Sequence, residues 1–388
     1  MAKWNYVKIG DVCTVERGGS PRPIDKFITD DPNGINWIKI GDTTDSMYIT
    51  ETAQKIIPEG MKKSRYVQPG DFLLSNSMSF GRPYILKIDG CIHDGWLVLR
   101  DNGGVFDKRF LYYYLSSPST YQKFKNMAVG GVVNNLNSDM VRGVTVPVPK
   151  MEEQIEIVQT LDNVSNLIFL RKQQLAKLDE LGKARFVEMF GDPLSNDKGW
   201  QKVLITEVCH AIFGGGTPSK SHPEYFTGSI PWVSPKDMKS LVINDSIDHI
   251  TEEAIAHSTT NLVPTNSVLM VIRSGILKHT LPVAVNSLPV TINQDMKAFV
   301  PNETVKTAFL MYFFKAIEND VLAGVRGVTA DNIDFKAFQK RTIIVPPLAL
   351  QEQFVAFVTQ TDKSKVAVQK ALDEAQLLLD SLMQKYFG

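Results

Sequence analysis

The stretch that comes nearest to a catalytic motif reads Gly-Gly-Gly-Thr-Pro-Ser-Lys-Ser at residues 214–221, and it resembles a phosphate-binding P-loop. A P-loop has glycine directly before its lysine, whereas this chain has Ser219 before Lys220. Pro218 also lacks one of the backbone N–H groups that would bind phosphate. Residues 17–23, Arg-Gly-Gly-Ser-Pro-Arg-Pro, keep the two glycines and the proline but not the lysine. A tight turn present in both halves of the chain explains both stretches better than a nucleotide site. A nucleotide site would require the isolated chain to bind ATP.

Other residue types that carry chemistry are present but do not form known catalytic patterns. The sequence contains no Gly-x-Ser-x-Gly nucleophile turn, no His-Glu-x-x-His zinc helix and no cysteine-histidine zinc finger. Its six histidines are scattered, and only His93 lies in the first half. Its three cysteines lack the spacing of a metal site and suit a reducing compartment. The sequence therefore predicts a chain without catalytic residues and without a metal site.

Length and composition limit the possible partners. The 388 residues have room for two or three domains. Lysine plus arginine and aspartate plus glutamate number 42 each, so the net charge is zero and does not indicate a nucleic-acid binder. If the chain binds DNA, partner subunits must supply much of the attraction for phosphates. No apolar run approaches the ~18 residues of a membrane span and no signal peptide is apparent, so we expect a cytoplasmic protein without membrane contact.

Two segments about 200 residues apart share one layout. Residues 150–191 and 348–388 each follow prolines, carry Glu-Gln in the first turn and end in Phe-Gly. Proline ends the preceding element, and the carboxylates of Glu152, Glu153 and Glu352 favour the positive end of a helix dipole. We predict one helix of about 40 residues in each segment, roughly 60 Å long at about 1.5 Å per residue.

Apolar residues recur along both predicted helices at the spacing of a coiled-coil seam. The residues predicted to pack are Val164, Ile168, Leu175, Leu178, Val368, Leu372, Leu379 and Leu382. Arg171 and Gly182 interrupt the first seam, which is the less regular one. Two long helices with apolar seams most simply pack on each other. The alternative, two ordinary core helices of a globular domain, is disfavoured by their length.

The segments before these helices also repeat, at an offset of 195–200 residues. The Gly-Gly-Ser-Pro of residues 18–21 corresponds to the Gly-Gly-Thr-Pro of residues 215–218, and Trp37 corresponds to Trp232. Such a repeat indicates a duplicated unit, in which a globular domain is followed by a long helix. The predicted division is a domain at 1–149, a helix at 150–191, a domain at 192–347 and a helix at 348–388.

Short apolar runs between turn residues predict strands, and two longer runs predict helices, so each globular domain is expected to be mixed α/β. The predicted strands include residues 37–40, 72–74, 96–99, 144–148, 268–272 and 342–345, and the predicted helices are residues 110–115 and 308–317. The order of the strands in the sheets stays open.

This duplicated layout resembles the specificity subunit of type I restriction-modification systems. The resemblance rests on the tandem order of domain and helix, the Gly-Gly-Ser/Thr-Pro near each start and the prolines that lead into Glu-Gln helices, and it spans essentially the whole chain. It implies an α/β tandem repeat in which two globular target recognition domains are separated by two long antiparallel coiled-coil helices. Each domain would read one half of a bipartite double-stranded DNA target, and the helices would fix the spacing of the halves.

The same resemblance implies that the chemistry belongs to partner subunits. Two methyltransferase (M) subunits would dock on the helices and methylate adenine. Restriction/translocase (R) subunits would add ATP-dependent cleavage, as in phage defence. S-adenosylmethionine, ATP and Mg are therefore expected on the partners, and no cofactor is expected on this chain.

Polar loops that follow or precede predicted strands are the candidate DNA contacts. Their side chains can offer paired donors to guanine, amides to adenine and hydroxyls to phosphate. The candidates are Arg22, Ser75, Asn76, Ser77, Arg82, Asn134, Asn135 and Asn137 in the first domain, and Lys220, Arg273, Ser274, Lys278, His279, Arg326, Thr329 and Asn332 in the second. Solvated turns without DNA contact are the alternative. Contact is favoured because the loops recur at matching positions with different side chains, as two readers of different half-sites require.

Two other functions fit the same sequence. The chain could be the specificity subunit of a fused methylase-nuclease (type IIB-like) system that cuts on both sides of its site, and neighbouring genes would distinguish this case. It could instead be a coiled-coil adaptor that binds only protein, in which case DNA binding that weakens with salt would be absent.

Overall fold

The structure is a computed structural model that describes residues 4–76, 81–128, 135–325 and 331–388. Its contacts divide the chain into two compact units. Unit 1 comprises Met1–Arg171 with Ala371–Gly388, and unit 2 comprises Lys172–Lys370. Both boundaries fall inside long helices, so each unit contains one globular domain and a portion of each helix. The domain bounds inferred from the repeat stay a prediction.

The globular part of unit 1 is built from short strands and helices. Its strands are β1 Asn5–Lys8, β2 Cys13–Arg17, β3 Ile28–Thr29, β4 Ile35–Ile38, β5 Tyr48–Ile49, β6 Gln54–Ile56, β7 Arg65–Val67, β8 Phe72–Ser75, β9 Pro83–Leu86, β10 Gly90–Ile92, β11 Trp96–Asp101 and β12 Thr145–Val148. Its helices are α1 Ile9–Val12, α2 Pro58–Met61, α3 Lys108–Ser116, α4 Pro118–Ala128, α5 Ser138–Arg142 and the start of α6 Met151–Phe190.

The strands of unit 1 form two larger sheets and a ribbon. One sheet has the order β2-β11-β8-β9-β5, the other has the order β3-β6-β4-β10-β7, and β1 pairs with β12. The β5–β9 and β4–β10 pairs are parallel. Leu97 and Leu99 of the first sheet share one buried cluster with Phe110 of α3 and Val158 of α6. This cluster attaches the long helix to the sheet.

Unit 2 repeats this construction. Its strands are β13 Gln201–Leu204, β14 Cys209–Gly214, β15 Ile230–Val233, β16 Val242–Ile243, β17 His249–Ile250, β18 Val268–Val271, β19 Val283–Asn286, β20 Thr291–Ile292, β21 Met296–Pro301 and β22 Thr342–Val345. Its helices are α7 Glu252–Ala256, α8 Thr307–Ala316, α9 Glu318–Ala323, α10 Phe335–Gln339 and the start of α11 Leu348–Phe387.

The sheet order β14-β21-β18-β19-β16 of unit 2 matches β2-β11-β8-β9-β5 of unit 1 strand for strand. The smaller sheet β17-β15-β20 matches β6-β4-β10, and the β13–β22 ribbon matches β1–β12. The parallel pairs recur as well, as β16–β19 and β15–β20. The mixed α/β tandem repeat is therefore confirmed. The structure also supplies the strand order, which the sequence left open and which is the same in both units.

The predicted strands and helices are confirmed in kind, with shifts at their ends. The strand predicted at 37–40 is observed at Ile35–Ile38. It ends early because a 3-10 turn follows, in which the Asp42 carboxylate accepts a hydrogen bond from the Lys39 N–H at 2.7 Å. The helix predicted at 110–115 starts earlier, since Asp107 caps it.

The two long helices α6 and α11 span 40 residues each, as predicted. Charged residues are interspersed along both of them. Within the described ranges no helix is long and apolar enough to cross a membrane.

In unit 1 the first part of α6 packs against the last part of α11. Leu161 shares a buried cluster with Phe387, and Ile168 shares another with Ala375. Residue numbers rise along α6 as they fall along α11, so the helices run antiparallel. Of the residues predicted to pack, this seam contains Val164, Ile168, Leu372, Leu379 and Leu382.

In unit 2 the last part of α6 runs antiparallel to the first part of α11. The Lys365 ammonium lies 2.8 Å from the Asp179 carboxylate, and the rings of Phe186 and Phe354 have centroids 5.5 Å apart. Of the residues predicted to pack, this unit contains the half-buried Leu175 and Leu178 and the buried Val368.

A buried glutamine fixes the start of each long helix. In unit 1 the Oε1 of Gln154 accepts a hydrogen bond from the Asp107 N–H at 2.8 Å. Its Nε2 donates to the carbonyl oxygens of Val105 and Pro149, both at 3.0 Å. Buried backbone groups need hydrogen-bond partners, and the glutamine side chain supplies them for one N–H and two carbonyl groups. The side chain thereby joins α6 to the segment that leads into α3.

The same three hydrogen bonds recur in unit 2. The Oε1 of Gln351 accepts from the Lys306 N–H at 2.8 Å, and its Nε2 donates to Thr304 O at 3.1 Å and Pro346 O at 2.9 Å. Gln154 and Gln351 are both completely buried. The repeat therefore preserves a buried hydrogen-bond set as well as a strand order.

We expect Gln154→Ala to destabilise unit 1 by about 2–4 kcal/mol, because one N–H and two carbonyl groups lose their partner in a buried site. Hydrogen exchange should show lost protection in α3 and at the start of α6, with α8 in unit 2 unchanged. Gln351→Ala should give the reverse pattern. Gln159→Ala and Gln353→Ala, at exposed positions of the same helices, are the controls and should leave protection unchanged. Equal loss in both units after either buried substitution would contradict a local role.

Candidate nucleic-acid interface

Each unit places its Gly-Gly-Ser/Thr-Pro turn against the turn between two strands. We call residues 18–21 and 215–218 the glycine turns. We call residues 93–95 and 293–295 the apex turns, which join β10 to β11 in unit 1 and β20 to β21 in unit 2.

The glycines are needed because the two backbones run very close together. In each glycine turn the second glycine donates its N–H to the carbonyl oxygen of the residue that ends β10 or β20. The pairs are Gly19 with Ile92 at 3.2 Å and Gly216 with Ile292 at 3.0 Å. A Cβ on the first glycine would overlap a carbonyl oxygen of the apex turn; the pairs are Gly18 with His93 and Gly215 with Asn293. Only a residue without a side chain permits this approach. The P-loop-like stretch of unit 2 thus packs against an apex turn as its counterpart in unit 1 does, and its description as a tight turn stays a prediction.

The hydroxyl residue of each glycine turn bonds the middle residue of the apex turn. In unit 1 the Ser20 hydroxyl donates to Asp94 Oδ1 at 2.8 Å, and in unit 2 the Thr217 hydroxyl donates to Gln294 Oε1. The Ser20 hydrogen bond lowers the pKa of Asp94 below its usual range. The carboxylate is therefore charged at neutral pH, and the exposed Arg22 guanidinium lies 3.4 Å from its other oxygen.

The side chain of the first residue in each apex turn accepts a hydrogen bond from the backbone N–H two residues later. In unit 1 the Gly95 N–H donates to His93 Nδ1 at 2.8 Å, and in unit 2 the Asp295 N–H donates to Asn293 Oδ1 at 3.1 Å. Burial lowers the pKa of His93 below its ordinary value, although the Asp94 carboxylate opposes this shift. A neutral ring can accept a hydrogen bond at Nδ1, whereas a protonated ring cannot.

The loops predicted to contact DNA meet at the apex turn in unit 1. The Asn76 N–H donates to Gly95 O at 3.0 Å, and the Leu136 N–H donates to Asn76 O at 3.0 Å. The Asn76 side chain donates to Asp94 O at 2.8 Å. Segments that are far apart in sequence thus form one surface.

Unit 2 joins its loops by the same backbone hydrogen bonds. The Ile272 N–H donates to Asp295 O at 2.8 Å, and the Ile333 N–H donates to Ile272 O at 2.9 Å. Arg273 pairs across an isolated β-bridge with Asn332. The Arg273 Nε lies 2.6 Å from the Asp295 carboxylate, which fixes the direction of a guanidinium that is about half exposed.

The charges on these surfaces are mostly paired. The ion pairs are Arg22 with Asp94 at 3.4 Å, Lys236 with Asp248 at 2.6 Å, Arg273 with Asp295 at 2.6 Å and Lys278 with Asp331 at 3.8 Å. The surfaces therefore offer oriented hydrogen-bonding groups more than a strong positive potential. Among the residues that the structure describes, no group of three or more His, Cys, Asp or Glu side chains could hold a metal ion.

Most of the predicted DNA contacts are exposed to solvent. The exposed ones are Arg22, Arg82, Asn135, Asn137, Lys220, Arg273, Lys278, His279 and Asn332, and Ser274 is half-buried. Lys220 lines a cleft of about 680 Å³ together with Trp232 and with Asn293 of the apex turn. Ser77, Asn134, Arg326 and Thr329 lie outside the described residues.

Ser75 and Asn76 do not fit the direct DNA contact predicted for them, because their side chains are 0% and 1% exposed. The Ser75 hydroxyl accepts a hydrogen bond from the Arg82 N–H at 3.0 Å, and Asn76 bonds the apex turn. Both side chains therefore stabilise the loop through internal hydrogen bonds. The residues that the sequence did not single out are Asp94 and Gln294, although the matching Ile-His-Asp and Ile-Asn-Gln stretches at an offset of 200 could have indicated them.

The lowered pKa of His93 predicts a pH dependence of stability. Below the ordinary value of 6.5 the unfolded chain binds a proton at His93 before the folded chain does, so the free energy of unfolding should fall until the folded pKa is passed. His93→Asn, which introduces the residue found at Asn293, should reduce the fall in stability on acidification. The measurement is the thermal unfolding midpoint of the unsubstituted chain and of the variant, each at about pH 7.5 and about pH 5.5. Asp94 cannot cause the difference, since its contribution is lost only below its usual value of 3.8. Equal losses in the two proteins would contradict the assignment.

Comparisons with known proteins agree with this duplicated architecture. The sequence matches the family described as Type I restriction modification DNA specificity domain at residues 1–180 and again at residues 197–376. The specificity subunit of an Escherichia coli type I restriction enzyme is 32% identical over 263 residues, which is 66% of this chain and 63% of that protein. This match thus spans less than two thirds of that relative. A specificity subunit from Methanocaldococcus jannaschii is 23% identical over 98% of this chain and 92% of that protein.

Solved structures show the same fold. A chain in a structure on the assembly and conformational transition of a type I restriction-modification system has a TM-score of 0.62 at 20% identity, over 100% of this chain and 98% of that chain. The specificity subunit of a type I system from M. genitalium has a TM-score of 0.55 at 14% identity, over 100% of this chain and 96% of that chain. The family match covers nearly the whole sequence in two copies, and this chain therefore belongs to the type I restriction-modification DNA specificity family.

Proposed function

We propose that this chain is the DNA-recognition subunit of a type I restriction-modification complex, and that each unit reads one half of a bipartite double-stranded target. The observation that carries the proposal is the duplicated loop surface. In each unit the same backbone hydrogen bonds join the loops to the apex turn, while the exposed side chains differ. A common scaffold with different base-edge contacts is what two different half-sites require.

Arg273 is the best-prepared base-reading side chain of unit 2. Asp295 holds its Nε, so the outer N–H groups can meet the paired acceptors of guanine with little loss of side-chain freedom. The Arg22 side chain lies beside the apex turn of unit 1 and is 82% exposed, so phosphate is its natural target.

Paired charges limit the affinity of either surface alone. An acidic partner offsets each of these cations, so the attraction for phosphates stays modest. Linking two weak readers raises their combined affinity if the link holds them at the right separation. In the proposed function the two long helices are that link. They would set the unspecified gap between half-sites, which are expected near one helical turn of DNA, about 34–36 Å apart.

The proposed chemistry belongs to partner subunits. Several large apolar side chains on the helices of unit 1 are exposed, among them Phe169 at 56% and Leu377 at 74%. Exposed apolar residues on long helices support docking of protein partners. We propose that two methyltransferase subunits dock there and methylate adenine with S-adenosylmethionine. Restriction subunits would add ATP- and Mg-dependent cleavage, and this chain would hold no cofactor.

Coexpression of the chain with its methyltransferase partner should produce adenine methylation at a two-part motif that unspecified bases interrupt. Replacing residues 1–149 by the matching domain of another specificity subunit should change one half of the motif only, because each unit has its own loop surface. Mapping methylated adenines across the genome measures both results. A continuous motif, or no motif, would count against the proposed function, and changes in both halves would count against separate readers.

Lengthening both helices should lengthen the gap in the target. One heptad inserted after Arg171 and one after Lys370 add roughly 10 Å to each helix where the two units divide, which corresponds to about three base pairs. The bases read at either end should stay the same. A heptad in α6 alone is the control, because it shifts one seam against the other and should lower methylation. An unchanged gap in the active, doubly extended protein would contradict the spacing role.

A further inference from the structure

Asp94 and Gln294 occupy equivalent positions where the loops of each unit meet. Each is the middle residue of an apex turn, and the residue after it accepts the backbone hydrogen bond that binds the loop. The Asp94 side chain is 44% exposed, and Gln294 is exposed as well. Both side chains therefore reach solvent directly beside the residue to which the loop is bound.

One end of each side chain is fixed from within the protein. The Ser20 hydroxyl holds Asp94 Oδ1 at 2.8 Å, and the Thr217 hydroxyl holds Gln294 Oε1. The close packing of the glycine turns sets the position of both hydroxyls. The carboxylate and the amide are thus oriented before any ligand arrives, as a recognition group must be.

The outer end of the side chain, which the hydroxyl does not bind, has a different hydrogen-bonding character in Asp94 and in Gln294. A carboxylate only accepts hydrogen bonds, and Asp94 keeps acceptor sites beyond those that Ser20 and Arg22 use. Gln294 turns its Nε2, which only donates, away from Thr217, and among the described residues this atom has no hydrogen-bond partner. The Arg22 guanidinium offsets part of the charge of Asp94. On DNA, the groups that can donate to the remaining acceptor sites of a carboxylate are base amino groups, since phosphates only accept.

We infer that Asp94 and Gln294 are specificity-determining residues of opposite hydrogen-bonding character, one for each half-site. This inference rests on the proposed function. Asp94 accepts a hydrogen bond from an exocyclic amino group, the N6 of adenine or the N4 of cytosine. Gln294 donates to an acceptor, the O6 or N7 of guanine or the O4 of thymine.

A purely structural role for this pair would be to fix the glycine turn. Such a role requires only an acceptor for the hydroxyl, which aspartate and glutamine supply equally well. The exchange of one for the other between the units keeps that internal bond and changes only the outward group. Two readers built on one scaffold need this kind of difference.

The test uses the full chain coexpressed with its methyltransferase partner, and methylated adenines are mapped for each variant. Asp94→Asn should relax or change one base in one half-site, and methylation of the original sequence should fall roughly 5- to 150-fold, while the other half-site stays the same. Gln294→Glu should do the same in the other half. Asp94→Gln, which installs the residue of unit 2, should shift the preference toward a base with an acceptor.

Asp11→Asn and Gln201→Glu make the same chemical changes at exposed positions outside the turns and should leave the motif unchanged. The unchanged half-site in each variant shows that the protein still folds and docks. An unaltered motif in Asp94→Asn and Gln294→Glu would overturn the inference, and so would a uniform fall in methylation of all sequences, which a structural role predicts. Absence of two-part methylation by the unsubstituted chain would instead overturn the proposed function.

Discussion

The fold depends on how the chain enters each long helix. A proline follows each of β12 and β22, and the buried amide of Gln154 or Gln351 donates to the carbonyl oxygen of Pro149 or Pro346. The same amide bonds the segment before α3 or α8, so one side chain fixes helix and domain together. Glutamate could not replace it, because a carboxylate has no N–H to donate to two carbonyl groups. The buried glutamine follows Glu153 in the first repeat and precedes Glu352 in the second, and in both it is a structural requirement rather than only a helix signal.

Aromatic residues at the far ends of the helices complete each domain. In unit 1 Phe387 packs edge-on against Phe110 of α3, with ring centroids 5.6 Å apart. In unit 2 Phe190 packs against Phe309 of α8 at 4.9 Å. Each domain is thus held by the start of the helix that follows it and by the end of the other helix. The Phe-Gly that ends both repeats follows from this packing, and the positive φ of 76° at Gly191 lets the chain turn away from the helix.

The sequence was sufficient for the tandem repeat, the long helices and the mixed α/β class, because these rest on local signals that occur twice. It was not sufficient for the recognition surface. Ser75 belongs to strand β8, and a shift of one residue at a strand end exchanges the exposed side for the buried one. Asp94 and Gln294 escaped notice because their hydroxyl partners lie 74 and 77 residues away in sequence. That pairing depends on strand order, which the local pattern does not contain.

The pairing of charges at the loops makes the long helices necessary for the proposed function. A guanidinium held by a carboxylate, such as Arg273 by Asp295, gains orientation and loses attraction for phosphates. Each surface alone would then be selective and weak. Two such surfaces gain affinity only when a rigid connection keeps both at their half-sites, since a flexible link spreads the second reader over many positions. The rigidity of that connection depends on how firmly each helix joins its domain, which is the task of the buried glutamines.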